Sequence, residues 1–143
     1  MMDVPVKMNL SAPNVVNVCV DKREGEACAG RMYCYYTKEL VFFQNEFHLL
    51  KLMEDLMDRI DYPQASVKMR SYRKKESFSE KTLHKVSERE EIFRERGALA
   101  TFFIHVRYRQ NATWQGEVAW VEKGDAKQFR SALELLKLID NAC

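Results

Sequence analysis

Three histidines are the residues of this chain best suited to acid–base chemistry, and they are His48, His84 and His105. The sequence around them contains no Gly-x-Ser-x-Gly, no His-Glu-x-x-His and no phosphate-binding glycine loop. His48 stands near the start of a helical pattern, where a capping or surface role is the simplest interpretation. His105 lies between aromatic and basic residues and is the one histidine that could belong to a site. The sequence therefore predicts no catalytic residue and favours a non-catalytic protein.

Four cysteines could serve as metal ligands or disulfide partners, and they are Cys19, Cys28, Cys34 and Cys143. No two of them form a Cys-x-x-Cys pair, and no histidine stands at ligand spacing from two of them. We therefore expect no metal site and no cofactor. Because the N-terminus has no apolar signal-peptide core, the simplest interpretation is reduced thiols in a cytoplasmic protein without membrane contact.

Aromatic and basic residues are predicted to share the outer face of a sheet. The set consists of Arg23, Arg31, Tyr33, Tyr35, Lys68, Arg70, Phe103, His105, Arg107 and Arg109. Rings interleaved with arginines suit single-stranded RNA or DNA, since bases stack on rings and cations meet phosphates. The same composition fits a protein interface, which also favours tyrosine and arginine. A homo-oligomer, or an adaptor or inhibitor that binds another protein, is therefore the alternative.

A third possibility centres on Trp114 and Gln115, which precede Gly116 in a predicted turn. A tryptophan beside a hairpin turn either folds back onto the core or forms a ligand-facing lip. The lip would suit a small nucleotide-like ligand bound between the two halves of the chain.

The elements that must position these residues are predicted to occur twice. A shift of 86 positions aligns Gly30 with Gly116 and Phe43 with Phe129, and gives eight identities over 40 columns. Unrelated columns would give roughly two or three. We interpret the chain, 1–143, as a single domain of two pseudo-repeats, 15–60 and 102–142, joined by the charged segment 61–101.

The hydrophobic periodicity of the first repeat predicts three strands and a helix. Residues 15–23 alternate, with Val16, Val18 and Val20 facing inward, and strands at 31–37 and 40–43 follow. A helix capped by Asn45 then carries the apolar stripe Phe47, Leu50, Met53, Met57 and Ile60.

The second repeat follows the same plan. Its inward row is Phe102, Ile104, Val106 and Tyr108, and strands at 115–123 and 126–129 follow. A helix at 132–141 is capped by Ser131 with Glu134, and its stripe is Leu133, Leu136 and Ile139. The fold class is therefore α+β, an antiparallel sheet with both helices packed on one face.

The remaining segments were expected to be peripheral. Residues 1–13 read as a loosely held arm, and residues 66–72 alternate as an extra strand would. The charge-rich stretch 73–96 includes a capping box at 87–90, which indicates a short solvated helix or a mobile linker.

Composition sets few limits on partners. With 46% hydrophobic and 11% aromatic residues, the chain has the composition of a folded globular protein. A formal charge of +2 neither requires nor excludes nucleic acid.

Two resemblances bear on function. The stretch 109–116, with Phe129-Arg130 and the helix after it, resembles the C-terminal forty residues of a group of small uncharacterised bacterial proteins. The plan is also similar to PUR repeats, in which a basic-aromatic strand leads through a glycine turn to a helix opened by Phe-Arg. Phe103–Arg109, Gly116 and Phe129-Arg130 stand at comparable places. That resemblance implies binding of single-stranded DNA or RNA.

Overall fold

The computed structural model describes residues 8, 10–38, 40–62, 85–110 and 113–142. The strands within these ranges are β1 (Val16–Glu24), β2 (Ala27–Tyr33), β3 (Val41–Phe43), β4 (Ala100–Gln110), β5 (Thr113–Trp120) and β6 (Asp125–Phe129). The helices are α1 (Glu46–Ile60), α2 (Arg89–Phe93) and α3 (Ala132–Ala142), and a 3-10 turn covers Val121–Lys123.

The six strands form one antiparallel sheet in the order β3-β2-β1-β4-β5-β6. The α+β class and the antiparallel sheet are therefore confirmed. Each half of the chain contributes three neighbouring strands, and the halves join where β1 pairs with β4. Because the first strand of each half lies at the centre, the third strand of each half, β3 or β6, forms an edge.

The strand register is the same in both halves. Gly30 pairs with Phe43 across β2 and β3, and Gly116 pairs with Phe129 across β5 and β6. The β1–β2 pairing shifts its register after Val20, and the β4–β5 pairing shifts after the matching position, 86 residues later. These shifts are β-bulges, which place one extra residue in a strand and reverse the faces of the residues beyond it.

Glycine is required where each bulge meets the neighbouring strand. A Cβ atom on Gly30 would lie 1.9 Å from the backbone oxygen of Cys19. A Cβ atom on Gly116 would lie 2.0 Å from the backbone oxygen of His105. Both distances are far below a van der Waals contact, so only glycine permits the two strands to approach this closely.

The N-terminal caps of α1 and α3 are those predicted from the sequence. The Asn45 side chain accepts a hydrogen bond from the His48 amide at 2.8 Å, and Ser131 Oγ accepts one from the Glu134 amide at 3.1 Å. The His48 ring and the Glu134 carboxylate then each accept the amide that precedes the cap residue, at 3.1 Å and 2.7 Å. The predicted capping roles, including that of His48, are confirmed.

The apolar stripes of the helices match the prediction only in part. Met53, Met57 and Ile139 are buried as predicted, whereas Leu50, Ile60 and Leu136 are half-buried. The buried residues are Leu49, Met53, Leu56 and Met57 in α1, and Leu135 and Ile139 in α3. Phe47 and Leu133, both predicted to face the core, are exposed. Several apolar residues on each helix could form a stripe, and the direction in which the helix crosses the sheet selects among them.

One core cluster draws its buried residues from the sheet and from both long helices. It contains Val16, Val18 and Val20 of β1, Phe102, Ile104 and Val106 of β4, and the buried residues of α1 and α3. The inward rows of both central strands thus share this cluster with both helices.

The segment before β4 is not peripheral. The two apolar residues of α2, Ile92 and Phe93, are fully buried, so the prediction of a solvated helix or mobile linker is wrong for this part. Glu88, not Ser87, precedes the helix as its cap, and its amide donates to Glu91 at 2.8 Å. Residues 66–72 and the first part of the charged segment lie outside the described residues.

Candidate partner-binding surface

The outer face of the sheet, predicted to be an open binding surface, is largely covered. A second core cluster on this face contains Leu10, Val15, Tyr35, Ile92, Phe93, Phe103 and Ala119. The Phe93 ring from α2 meets the Phe103 ring edge to face, with centroids 4.7 Å apart. Phe103 and Tyr35 are therefore core residues, and the expectation that they form an open surface is wrong.

Polar side chains of the sheet hold this cover in place. Asn17 Nδ2, fully buried, donates to the Ile92 carbonyl at 2.8 Å, and Arg31 Nη2 donates to the Arg96 carbonyl at 2.9 Å. The Tyr35 hydroxyl donates to the Leu10 carbonyl, which fixes the described part of the N-terminal arm. The expectation of a loosely held arm is therefore wrong at this point.

Arg31 is occupied by groups of its own chain. Its Nε and Nη2 atoms bind the two carboxylate oxygens of Asp21 at 2.8 and 3.0 Å, and Nη1 donates to the Tyr33 hydroxyl at 2.7 Å. The hydrogen bond to Asp21 raises the pKa of Arg31 above its ordinary value. A guanidinium held in this two-point pairing has few donors left for a phosphate.

Arg109 and Arg23 face the helices instead of the outer face. Arg109 Nη1 lies 2.7 Å from Asp58 Oδ1 on α1, and Arg23 Nη1 lies 3.3 Å from Asp140 Oδ1 on α3. Each arginine thus bridges to the helix of the other half of the chain. The outward position predicted for both is wrong, because the bulge before each residue shifts the alternation by one.

Arg107 is the remaining described arginine of the predicted set. Arg107 is exposed on β4 and lies 3.1 Å from Glu117 Oε2 on β5. Tyr108, predicted to face inward, is exposed because of the same bulge. Lys68 and Arg70 lie outside the described residues. All four described arginines of the set are therefore paired with carboxylates.

His105 is buried on the outer face without a polar partner among the described residues. Neither of its ring nitrogens has a hydrogen bond, and burial lowers the pKa of His105 below its ordinary value. Glu117 opposite it favours the charged ring, while Arg107 disfavours it. His105 is consequently neutral near pH 7 and poorly placed to meet a phosphate.

Trp114 does not form a lip. Its side chain is buried in the core beneath the helices, while Gln115 is exposed. The two residues alternate across β5, so only one of them can face the core. A tryptophan beside a hairpin turn more commonly packs into the core. Because Trp114 does so, its ring is not available to contact a ligand at this turn.

One cluster of potential metal ligands occurs among the described residues. Donor atoms of Cys28, Glu46 and Asp140 lie within 4.8 Å of one another. Cys28 is disulfide-bonded, so it offers no thiolate, and Asp140 is paired with Arg23. The cluster therefore lacks the strong ligand that a metal site would need.

The disulfide at Cys28 corrects the expectation that all thiols are reduced. Cys19 and Cys34 are free and buried, and Cys143 lies outside the described residues. Burial raises the pKa of the Cys19 thiol to about 12. A thiol of this kind is chemically inert at neutral pH.

Three exposed apolar side chains lie on or beside the edge strand β3. Leu40, Phe42 and Phe47 are 49%, 60% and 72% exposed, and we name these three residues the β3 edge patch. Phe42 lies opposite Arg31 of β2 and so belongs to the outer face, whereas Phe47 belongs to α1. Apolar groups therefore flank this edge on both sides of the sheet.

The opposite edge of the sheet has a different character. β6 carries exposed Asp125 and Lys127, whose side chains lie 3.8 Å apart. Charges on an edge strand discourage pairing with other chains, and natural sheets use them for this purpose. β3 carries no charge, so at this edge of the described sheet only the short length of the strand, three residues, limits pairing with another chain.

Comparisons of the chain with models of protein families, with curated proteins and with solved structures found no match. Among the described helices, none has both the length and the apolar character needed to cross a membrane.

Proposed function

We propose that the chain is a non-catalytic protein-interaction module that binds its partner through the β3 edge patch. The observation that carries the proposal is the combination of an uncharged strand at the edge of the described sheet with three exposed apolar side chains on or beside it. Exposed apolar side chains that flank an edge strand on both faces suit a partner that adds a strand there, because alternate side chains of that strand would meet them.

The mode of binding follows from the position of β3. A strand at the edge of a sheet presents unpaired backbone N–H and C=O groups, which a partner strand can satisfy. Phe42 on one face and Phe47 near the other would contact alternate side chains of that partner strand. Backbone hydrogen bonds would then fix the direction of the partner strand, and the two phenylalanine rings would make apolar contacts with its side chains.

Single-stranded nucleic acid is less well supported. The rings that would stack on bases, Tyr35 and Phe103, are buried, and the arginines that would meet phosphates are paired with carboxylates. Binding of this type would depend on residues such as Lys68 and Arg70. A nucleotide-like ligand at Trp114 has no observation in its favour, because that side chain belongs to the core.

We further propose that the two halves arose by tandem duplication and form a single domain. The matched bulges, the matched Gly–Phe pairs and the matched caps support this origin, since all recur at a spacing of 86 residues. The arginine bridges to the opposite helices support a single cooperative unit.

Photo-crosslinking tests the proposed interaction site. A benzophenone-bearing phenylalanine analogue is placed at position 42 of the full chain in cells of the organism that encodes it, with position 133 as the matched exposed control. The proposal expects a discrete protein adduct from position 42 that is lost when Phe47→Lys is added. Absence of an adduct at 42, or equal adducts at 42 and 133, would contradict it.

A further inference from the structure

We infer that the partner of the β3 edge patch is a second copy of this chain, which pairs β3 with β3 in antiparallel fashion about a two-fold axis at Phe42. The inference rests on the proposed function and names the occupant of the same site. The result would be a continuous sheet of twelve strands across the dimer, six from each copy.

The sequence along the edge suits pairing with itself. β3 contains three residues, so the register that pairs the whole strand places Phe42 opposite Phe42 and Val41 opposite Phe43. Every residue from Leu40 to Asn45 is uncharged, so no like charges meet within the pair. Directly opposed aromatic side chains are among the favourable cross-strand pairs of antiparallel sheets.

The flanking charges are complementary under the same symmetry. Lys38 lies four residues before Phe42, and Glu46 lies four residues after it. The two-fold axis therefore places Lys38 of each copy on the side of Glu46 of the other copy. Glu46 Oε1 accepts a hydrogen bond from the Cys28 amide of its own chain at 3.4 Å, so the lysine would meet Oε2. Glu39, between Lys38 and the uncharged run, is outside the described residues. The Lys38 ammonium is 3.7 Å from Glu91 and well exposed, so it can reach toward a partner.

The two copies would also join apolar surface on both sides of the sheet. Phe42 of each copy would meet its counterpart on the outer face, and Phe47 of each α1 would approach the new strand from the helix side. An interface of this kind is isologous and closed, because both copies use the same residues. It ends at two chains and does not propagate into a filament.

Disulfide trapping in the purified chain tests the register. Directly opposed residues of antiparallel strands have Cα atoms about 4.5 to 5.5 Å apart, within the range that a disulfide spans. Phe42→Cys should therefore form a covalent dimer under mild oxidation. Leu40→Cys is the control, because the two copies of position 40 would lie about 14 Å apart along the strands. The unsubstituted chain gives the background from its own cysteines.

A dimer that forms with Phe42→Cys and greatly exceeds that of Leu40→Cys supports the inference. Equal dimer with both variants, or none with Phe42→Cys, overturns it. Since Phe42 is exposed, the variant should keep the wild-type melting temperature, which verifies that a negative result is not unfolding. If trapping fails while position 42 yields photo-adducts with a different protein, the self-pairing is wrong and the proposed interaction site stands.

Discussion

Arg109 Nη1 lies 2.7 Å from Asp58 Oδ1, and this contact ties the central strand β4 to the helix of the other half of the chain. The Arg109 side chain is only 6% exposed, whereas that of Asp58 is 57% exposed. The same bridge recurs between Arg23 and Asp140, at the longer distance of 3.3 Å and closer to solvent. The two halves are therefore linked reciprocally, and the buried bridge should contribute more to stability.

Asp58→Ala should lower the free energy of unfolding by about 1 to 2 kcal/mol, because it removes a carboxylate that pairs with the buried Arg109 guanidinium. Asp140→Ala makes the same chemical change at the exposed bridge and should cost less than about 1 kcal/mol. Urea unfolding of both variants measures the difference. Equal losses would mean that burial of Arg109 does not strengthen its bridge.

Gly30→Ala and Gly116→Ala should each destabilise the protein by about 1 to 3 kcal/mol, since the new methyl group would press on a backbone carbonyl of the adjacent strand. Gly25→Ala is the control, because Gly25 has a φ of +65° and open space around its Cβ position. Its cost should be about 1 kcal/mol, from backbone strain alone. Thermal unfolding ranks the three variants, and a greater loss at Gly25 would contradict the close approach at the bulges.

His105 should make stability depend on pH. Because burial depresses its pKa in the folded state, the unfolded chain binds the proton more readily below about pH 6.5. The stability present at neutral pH is therefore lost as pH falls from about 6.5, with a slope approaching about 1.4 kcal/mol per pH unit. His105→Leu should remove this slope in urea unfolding at about pH 7.5 and about pH 5.5. The same slope in both proteins would exclude His105 as its source.

The free thiols should resist alkylation in the folded protein. Cys19 and Cys34 are buried, and burial raises both pKa values, that of Cys19 to about 12. Iodoacetamide should therefore leave both unmodified in native buffer and label both after denaturation. Peptide mapping should also find Cys28 in a disulfide. Rapid labelling of Cys19 in the native protein would show that its surroundings open readily.

Features set by local interactions were predictable from the sequence. The α1 cap at Asn45 and the α3 cap at Ser131 depend on residues within one turn, and both predictions are confirmed. The alternation of the first residues of β1 and β4 identified the rows that enter the core beneath the helices. Such patterns persist because neighbouring residues alone determine them.

Features set by the register of distant strands were not predictable. The bulges after Val20 and Val106 reverse the faces of Arg23 and Arg109, and simple alternation carries no sign of an extra residue. The glycines that permit these bulges, Gly30 and Gly116, were noticed only as an internal match. A glycine within a strand often marks a close approach of a neighbouring strand, and both glycines stand ten residues after the last inward residue of an alternation, Val20 or Val106.

The charged composition of the stretch 73–96 does not indicate that part of it covers the outer face of the sheet. Ile92 and Phe93 are an isolated apolar pair within a highly charged stretch, so no amphipathic period marks them. Their burial depends on Phe103, which lies opposite them on the sheet. The expectation that Tyr35, Phe103 and His105 lie on an open face is wrong for this reason. The β3 edge patch was missed because Phe47 was assigned to the core.

Sedimentation equilibrium of the purified chain tests most directly whether association occurs through the β3 edge patch. The unsubstituted protein and the control Leu133→Lys, altered at a residue 61% exposed on α3, should approach twice 16.9 kDa as concentration rises. Phe42→Lys should remain at 16.9 kDa, because a lysine on an edge strand disfavours pairing. An unsubstituted chain that stays monomeric, or a Phe42→Lys variant that assembles equally well, would contradict the account.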